Sequence, residues 1–460
     1  MEAKIIGRVS EFERLEKAWM SSSFEFIVIY GRRRVGKSFL IDAFAESHKG
    51  IYFEAVDGGS EISQIRLMSR AVSGALHGSA DLVYPDFIAI LDDIARAAEK
   101  ERIFFAIDEI SYLCEACPQM PGLLQHYVDT VFRKTKLVLI LSGSSRRFIE
   151  EDILSRESPL YGRSTVHMKI LPFTAKETAA MLPSWDINGI AIAHVITGGI
   201  PYYLNFLAKH STVMEAIEEE FFQPGGSLFT EAELFMRGLY RNIGTYDAIL
   251  CQLASGTNEV GKIAGKTGLS EANVSAALSS LASQDIVQRK AKIAGKGNGR
   301  GWEIVDGYFA FYHRYVQPYR SLIERWRGQG AYAKAVSSID GFVAKRMEAV
   351  FREYVLDTST LLITSIGSID FANPVLKRNE EVDLFGQCDE GWVIGECKWQ
   401  NSPVGQEVLS ILEMRKALLV GDDTAYYYLL SKSGFDEDLI RLTSPRDDIH
   451  LVTAEEVFGR

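Results

Sequence analysis

Residues 31–38 read Gly-Arg-Arg-Arg-Val-Gly-Lys-Ser, between the apolar run Phe24–Tyr30 and the amphipathic segment Phe39–Glu46. The pattern G-x-x-x-x-G-K-[ST] between a strand and a helix restricts both fold and chemistry. Gly31 and Gly36 allow backbone angles that turn N–H groups inward, so Gly31, Arg32, Arg33, Arg34, Val35 and Gly36 can wrap phosphate oxygens. The helix that opens at Lys37 adds its positive dipole end. Lys37 reaches the β- and γ-phosphates of a nucleoside triphosphate, and Ser38 offers its hydroxyl to Mg²⁺. The expected ligand is ATP with Mg²⁺.

A second apolar run, Ile103–Ile107, delivers Asp108 and Glu109 at its tip. Asp108 is placed to complete the Mg²⁺ shell, and Glu109 to polarise an attacking water. With Ile51–Phe53 and Leu137–Leu141, these runs are apolar with little alternation and are separated by helical patterns. That is the signature of a parallel sheet covered on both faces, an α/β fold. At 460 residues the chain is long enough for several domains. It has no apolar stretch long enough for a membrane span and no secretion signal, so the cytoplasm is the expected location. The five cysteines are scattered, and Cys114 and Cys117, though spaced C-x-x-C, lack a second pair to complete a zinc site. A net charge of −11 excludes a uniformly basic nucleic-acid coat.

These motifs resemble the archaeal-type P-loop ATPases, relatives of the AAA+ and STAND groups. The segment Gly31–Lys37 matches that family's version of the loop. Ile6-Gly7-Arg8 followed by Glu11 is similar to its N-terminal box, which implies that Gly7 and Arg8 contact the nucleotide base. The resemblance further implies that Ser142 or Ser144, after the fourth strand, senses the γ-phosphate. Arg163, in Leu160-Tyr161-Gly162-Arg163, would be an arginine finger or sensor, against the alternative of a structural ion pair; acting in trans, it would require a homo-oligomer. Thr197-Gly198-Gly199-Ile200-Pro201 resembles the turn of the family's helical lid.

The expected organisation is an ATPase core over residues 1–174, a helical lid over 175–244, a winged helix-turn-helix over 245–327 and a last α/β domain over 333–460. Thr174 and Glu177 are spaced as a capping box for the lid's first helix. In the winged helix, Ser270–Gln284 is the candidate recognition helix, and it carries no Arg or Lys. The wing supplies Arg289, Lys290, Lys292, Lys296 and Arg300, suited to gripping a DNA backbone; protein contacts or a regulatory role are the alternative. Gly328–Tyr332 reads as a linker.

In the last domain, Glu381–Phe385 and Val393–Lys398 are short apolar strands that carry acids. Paired as a hairpin, they would bring Asp383 and Glu396 together, a set of hard oxygens suited to Mg²⁺. Lys398 lies on the same face as Glu396 and could stabilise a phosphorane. This resembles the PD-(D/E)xK nucleases of restriction-endonuclease-like fold, except that Val382 stands where the Pro would be. The resemblance implies a further metal ligand, Glu348, on a preceding helix, and Gln406 could assist. The expected function is a Mg²⁺-dependent ATPase coupled to a DNA-binding, DNA-cleaving domain. The alternative is an ATP-dependent regulatory switch whose last domain binds nucleic acid or protein without cleavage.

Overall fold

A computed structural model describes residues 6–290, 292–293, 295–296, 301–374 and 376–459. The chain divides after Pro172 into two compact units.

The first unit is built on strands β1 (Glu25–Tyr30), β2 (Gly50–Glu54), β3 (Ile103–Asp108), β4 (Leu137–Gly143) and β5 (Val166–Lys169), in the order β2-β3-β4-β1-β5. All neighbours pair in parallel. Every residue of β3 and β4 is buried, as a sheet covered on both faces requires. Helices α1 (Val9–Trp19), α2 (Lys37–Ser47), α3 (Glu61–His77), α4 (Phe87–Lys100), α5 (Ile110–Ala116) and α6 (Met120–Thr130) surround it. Ser60 and Asp86 cap α3 and α4 by accepting backbone N–H groups from Ser63 and Ala89. Phe26, Val28, Phe105, Ile107, Leu139 and Leu141 pack with Ile94, Leu124 and Phe132 into one core. Each such side chain contributes about 1.5–3 kcal/mol on burial. The result holds the C-terminal ends of β1, β3 and β4 side by side, where an open α/β sheet presents its ligand crevice.

The second unit opens with the expected capping box. Thr174 Oγ1 accepts from the Glu177 N–H, and Glu177 Oε2 accepts from the Thr174 N–H at 2.8 Å. Helix Ile187–Thr197 is apolar around its circumference and buried from Gly189 onward, so it runs through a core rather than along a surface. It ends at Gly198 and Gly199, both in the left-handed region. A Cβ on Gly199 would stand 2.3 Å from the Phe173 carbonyl oxygen, so packing as well as backbone angle demands glycine there.

Helices Ile243–Ala254, Val260–Thr267 and Glu271–Ser283 follow, then the antiparallel pair β6 (Val287–Arg289) and β7 (Trp302–Ile304). This is the helix, helix, helix, wing order of a winged helix. The aromatic segment Tyr308–Arg320 is not one continuous helix: it is α-helical to Phe311, a π-helix over Tyr312–Val316 and 3₁₀ over Gln317–Tyr319. Pro318 lacks an N–H and crowds the preceding turn. The segment expected as a linker instead opens helix Gln329–Val336, whose Ala331 and Ala335 are buried.

The last domain holds a long helix, Ile339–Thr358, and strands β8 (Ile363–Asn373), β9 (Arg378–Cys388), β10 (Gly391–Lys398), β11 (Ala425–Ser431) and β12 (Ile449–Thr453), in the order β12-β11-β10-β9-β8. β8, β9 and β10 are antiparallel; β10, β11 and β12 are parallel, with helix Gln406–Val420 as one crossover.

Candidate functional site

The turn between β1 and α2 folds as its glycines require. Gly31 has φ 155° and Gly36 φ 94°. A Cβ on Gly31 would stand 2.3 Å from the Ile170 carbonyl oxygen. Arg34 is also left-handed, at φ 74°. Lys37 is 5% exposed, and its Nζ donates to the carbonyls of Gly31 and Arg32, both at 3.1 Å. Burial lowers its pKa, opposed by the charges of Glu109 and Asp108. The ammonium therefore lies inside the loop, with acceptors it can exchange for phosphate oxygens.

Asp108 is fully buried at the tip of β3. Ser38 Oγ donates to its Oδ2 at 2.6 Å, Tyr52 Oη donates to the same oxygen at 2.8 Å, and the Glu109 N–H donates to Oδ1 at 3.0 Å. A hydroxyl and a carboxylate so close at the mouth of a phosphate loop are the hard-oxygen pair that suits Mg²⁺ carried by a nucleotide. Burial, followed by the negative charge of Asp108, raises the carboxyl pKa values of Asp42 and Glu54. A divalent cation entering here would relieve that repulsion.

Glu109 caps α5 with φ 51°. Its Oε2 accepts from the Ser144 N–H at 3.1 Å and from Ser144 Oγ at 2.8 Å. Of the two serines open in the sequence, Ser144 is thus brought to Glu109, whereas Ser142 Oγ is buried and has no hydrogen-bond partner among the described residues. Gly7 and Arg8 both adopt positive φ, and Arg8 Nη2 donates to the Val35 carbonyl at 2.9 Å, tying the N-terminal box to the loop. Arg33 donates to the Tyr112 hydroxyl.

Arg163 lies elsewhere. Its Nε and Nη2 donate to Asp129 Oδ1 and Oδ2 at 2.9 and 2.6 Å, and its Nη1 to the Tyr161 carbonyl at 3.1 Å. This bidentate pair is the structural alternative to a finger, which would have to leave Asp129. The C-x-x-C thiols are both buried, and burial pushes Cys114 up to about 12 and Cys117 up to about 11, leaving them protonated near neutral pH.

In the last domain β9 and β10 pair as expected, Gly395 opposite Leu384, and the Cys397 N–H donates to Asp383 Oδ2 at 2.9 Å. Glu348, Asp383 and Glu396 are each under 10% exposed. Burial, then the charge of Glu396, pushes Asp383 up to about 6; burial, then the charge of Asp383, pushes Glu348 up to about 7. The expected carboxylates are therefore close enough to repel one another. Glu348 and Glu396, however, are already matched by cations, while Asp383 accepts from the backbone. Glu396 pairs with Lys398 at 2.7 Å through one oxygen and with Arg415 at 2.9 Å through the other. Arg415 continues to Glu380 at 3.4 Å, and Lys345 pairs with Glu348 at 3.0 Å and Glu381 at 2.7 Å. Among the described residues, no three His, Cys, Asp or Glu side chains form a group that could hold a metal ion. A metal at Glu348, Asp383 and Glu396 would have to displace the cations now paired with Glu348 and Glu396. Sequence reading missed Arg415 and Lys345 because E-x-K spacing carries no signal for cations on distant helices.

The wing is also more engaged than its composition suggested. Lys296 Nζ donates to the Leu419 carbonyl at 2.7 Å and lies 5.4 Å from the centre of the Trp392 ring. Lys290 lies 4.0 Å from Asp370. Ile293 packs on the last domain's core, where a Cβ on Gly367 would come within 2.6 Å of its Cδ1. Arg289 and Lys292 are exposed, and Arg300 lies outside the described residues.

Residues 6–207 match a family described as an ATPase domain predominantly from Archaea. Residues 312–414 match a family described as archaeal and bacterial proteins of unknown function. Over 434 residues the chain is 29% identical to an uncharacterized protein of Methanocaldococcus jannaschii, covering 92% of this chain and 94% of that one. An uncharacterized ATP-binding protein of the same organism is 46% identical over 44 residues, 10% of this chain and 75% of that one. Among solved structures, a Walker-type ATPase of Pyrococcus abyssi shares the fold at 21% identity and a TM-score of 0.52, covering 67% of this chain and 96% of that one. No helix among the described residues is long and apolar enough to cross a membrane.

Proposed function

We propose, from the premise that residues 6–207 carry an archaeal-type P-loop ATPase domain, that the chain hydrolyses Mg²⁺-ATP and uses its nucleotide state to control how the winged helix and last domain engage DNA. The observation that carries the ATPase reading is the pairing of Ser38 with Asp108 at 2.6 Å beside the buried Lys37. Gly31 to Gly36 would wrap the phosphates with backbone amides, and Lys37 would exchange its carbonyl partners for β- and γ-phosphate oxygens. Ser38 and Asp108 would hold the magnesium of the substrate. Glu109 would polarise the attacking water. Because Ser144 holds the Glu109 carboxylate, a γ-phosphate that draws on the Ser144 hydroxyl would free it for that task. Arg8 would fix the loop's entry through Val35. Arg163 acts on the nucleotide only if Asp129 is released.

The DNA reading rests on the exposed Arg289 and Lys292 of the wing, which can meet a phosphate backbone without reading bases. ATP turnover measured with and without DNA, on wild type and Lys37→Ala, tests both parts. Turnover that depends on Lys37 and responds to DNA supports the proposal; turnover indifferent to DNA removes the coupling.

Two readings of the last domain are distinguished by its ion pairs. Asp383, Glu396 and Lys398, with Glu348 nearby, support cleavage of DNA. The cations that already match these acids favour the second reading, a regulatory switch that binds without cutting. Incubation of varied DNA with Mg²⁺ or Mn²⁺ decides between them. Cleavage that disappears in Lys398→Ala supports the first; intact DNA, with DNA affinity unaffected by Glu396→Ala, supports the second.

A further inference from the structure

β2 runs beside β3 in a register that sets Tyr52 opposite Ala106 and Glu54 opposite Asp108. Tyr52 thus lies diagonally behind Asp108 on the same face of the sheet, a span that a phenol can bridge. Its hydroxyl donates to Asp108 Oδ2 at 2.8 Å. The other donors to this carboxylate come from residues whose own work is at the nucleotide: Ser38, whose hydroxyl is wanted by magnesium, and the backbone of Glu109. A hydroxyl that meets a cation through a lone pair keeps its proton, so of the two donors to Oδ2 Tyr52 is the one that does not itself touch the nucleotide. A carboxylate torsion is broad and roughly two-fold, so the Tyr52 hydroxyl on Oδ2 and the Glu109 N–H on Oδ1 together fix which way the oxygens face.

We infer that Tyr52 is a positioning residue for ATP hydrolysis, holding the Asp108 carboxylate in the plane that receives the magnesium of Mg²⁺-ATP. This rests on the reading of Asp108 as the carboxylate that meets that magnesium. The phenol is suited to the role because an ordinary tyrosine hydroxyl keeps its proton near neutral pH and can donate. No sequence motif marks the residue, because its partner becomes its neighbour only through strand order.

Tyr52→Phe keeps the ring and removes the hydroxyl alone. The expected result is a roughly tenfold rise in the Mg²⁺ concentration that half-saturates ATP turnover, the scale of one hydrogen bond to a charged group. The KM for ATP at saturating Mg²⁺, the melting temperature, and the affinity for ATP measured by calorimetry in EDTA should stay near wild type. An unchanged Mg²⁺ dependence in Tyr52→Phe overturns the inference, whatever happens to stability. Asp108→Asn is the companion control. If it leaves the Mg²⁺ dependence unaltered, the underlying reading of Asp108 fails; if it abolishes that dependence while Tyr52→Phe is neutral, only the role of Tyr52 fails.

Discussion

Replacing Arg415 with methionine would expose how the last domain balances its buried acids. The guanidinium spans Glu380 and Glu396, and the three side chains are 14%, 4% and 10% exposed. Removing one partner of a buried ion pair typically costs about 3–5 kcal/mol, because an uncompensated charge stays behind. Here Glu396 keeps Lys398, and Glu380 keeps Arg378 at 2.9 Å and a hydrogen bond from Asn373 at 3.1 Å. The loss should therefore sit near the lower bound, about 3 kcal/mol, or roughly a hundredfold in an opening equilibrium. Hydrogen exchange of the β9 and β10 amides reads this locally, without assuming that a chain of several domains unfolds in one step. Exchange of these strands should accelerate about a hundredfold in Arg415→Met. It should return most of the way in Arg415→Met with Glu396→Gln, which removes the stranded charge. The same substitution frees one oxygen of Glu396, so divalent-cation binding to the domain should strengthen. Unchanged exchange in Arg415→Met would refute the reasoning, since the pair would then be too hydrated to matter.

Other outcomes follow from particular residues. His194 is buried with Thr178 Oγ1 at 2.8 Å from its Nδ1, and burial depresses its pKa to about 4. The native state then binds fewer protons than the unfolded chain, so the stability it contributes is complete above about pH 6.5 and is lost as pH falls towards 4. The melting temperature of wild type minus His194→Gln should fall across that window, by up to about 3 kcal/mol in equivalent stability; a flat difference counts against it. Ile293→Asp would bury a charge between the wing and Gly367, and tryptic cleavage after Arg289 and Lys290 should accelerate tenfold or more, roughly, as the wing lifts. DNA affinity should rise with it as Lys290 and Lys296 are released, and a wing that stays protected would show that those contacts are incidental. Ser144→Ala should change kcat rather than KM, by about tenfold to a thousandfold if Ser144 sets Glu109 and senses phosphate, as tested by steady-state kinetics.

The first unit was largely legible because its signals are local. Apolar runs without alternation read as buried parallel strands, and Gly31, Gly36, Lys37 and Ser38 carry their context on either side. Asp108 and Glu109 follow from the end of one such run. Sequence could not show that Tyr52 meets Asp108 or that Ser144, rather than Ser142, meets Glu109, since both depend on strand order and register. In the second unit the hairpin that joins Asp383 to Glu396 was readable. The first half of β9, and most of β8, were not: Arg378, Asn379 and Glu380 look like a turn and pair only because β8 is beside them. The Gly328–Tyr332 segment misled because two glycines suggest a linker, whereas Gly328 is needed where a Cβ would stand 2.3 Å from the Phe222 carbonyl. The wing lysines misled in the same way: charge shows in a sequence, and the partner that occupies it does not.

Calorimetric titration of Mg²⁺-ATP into the folded protein, wild type beside Lys37→Ala, bears most directly on the enclosure of a triphosphate by residues 31–38. Saturable uptake by wild type, abolished or weakened by about a hundredfold or more when the ammonium is gone, is the expected result. Equal uptake by both proteins, or none by either, would contradict it.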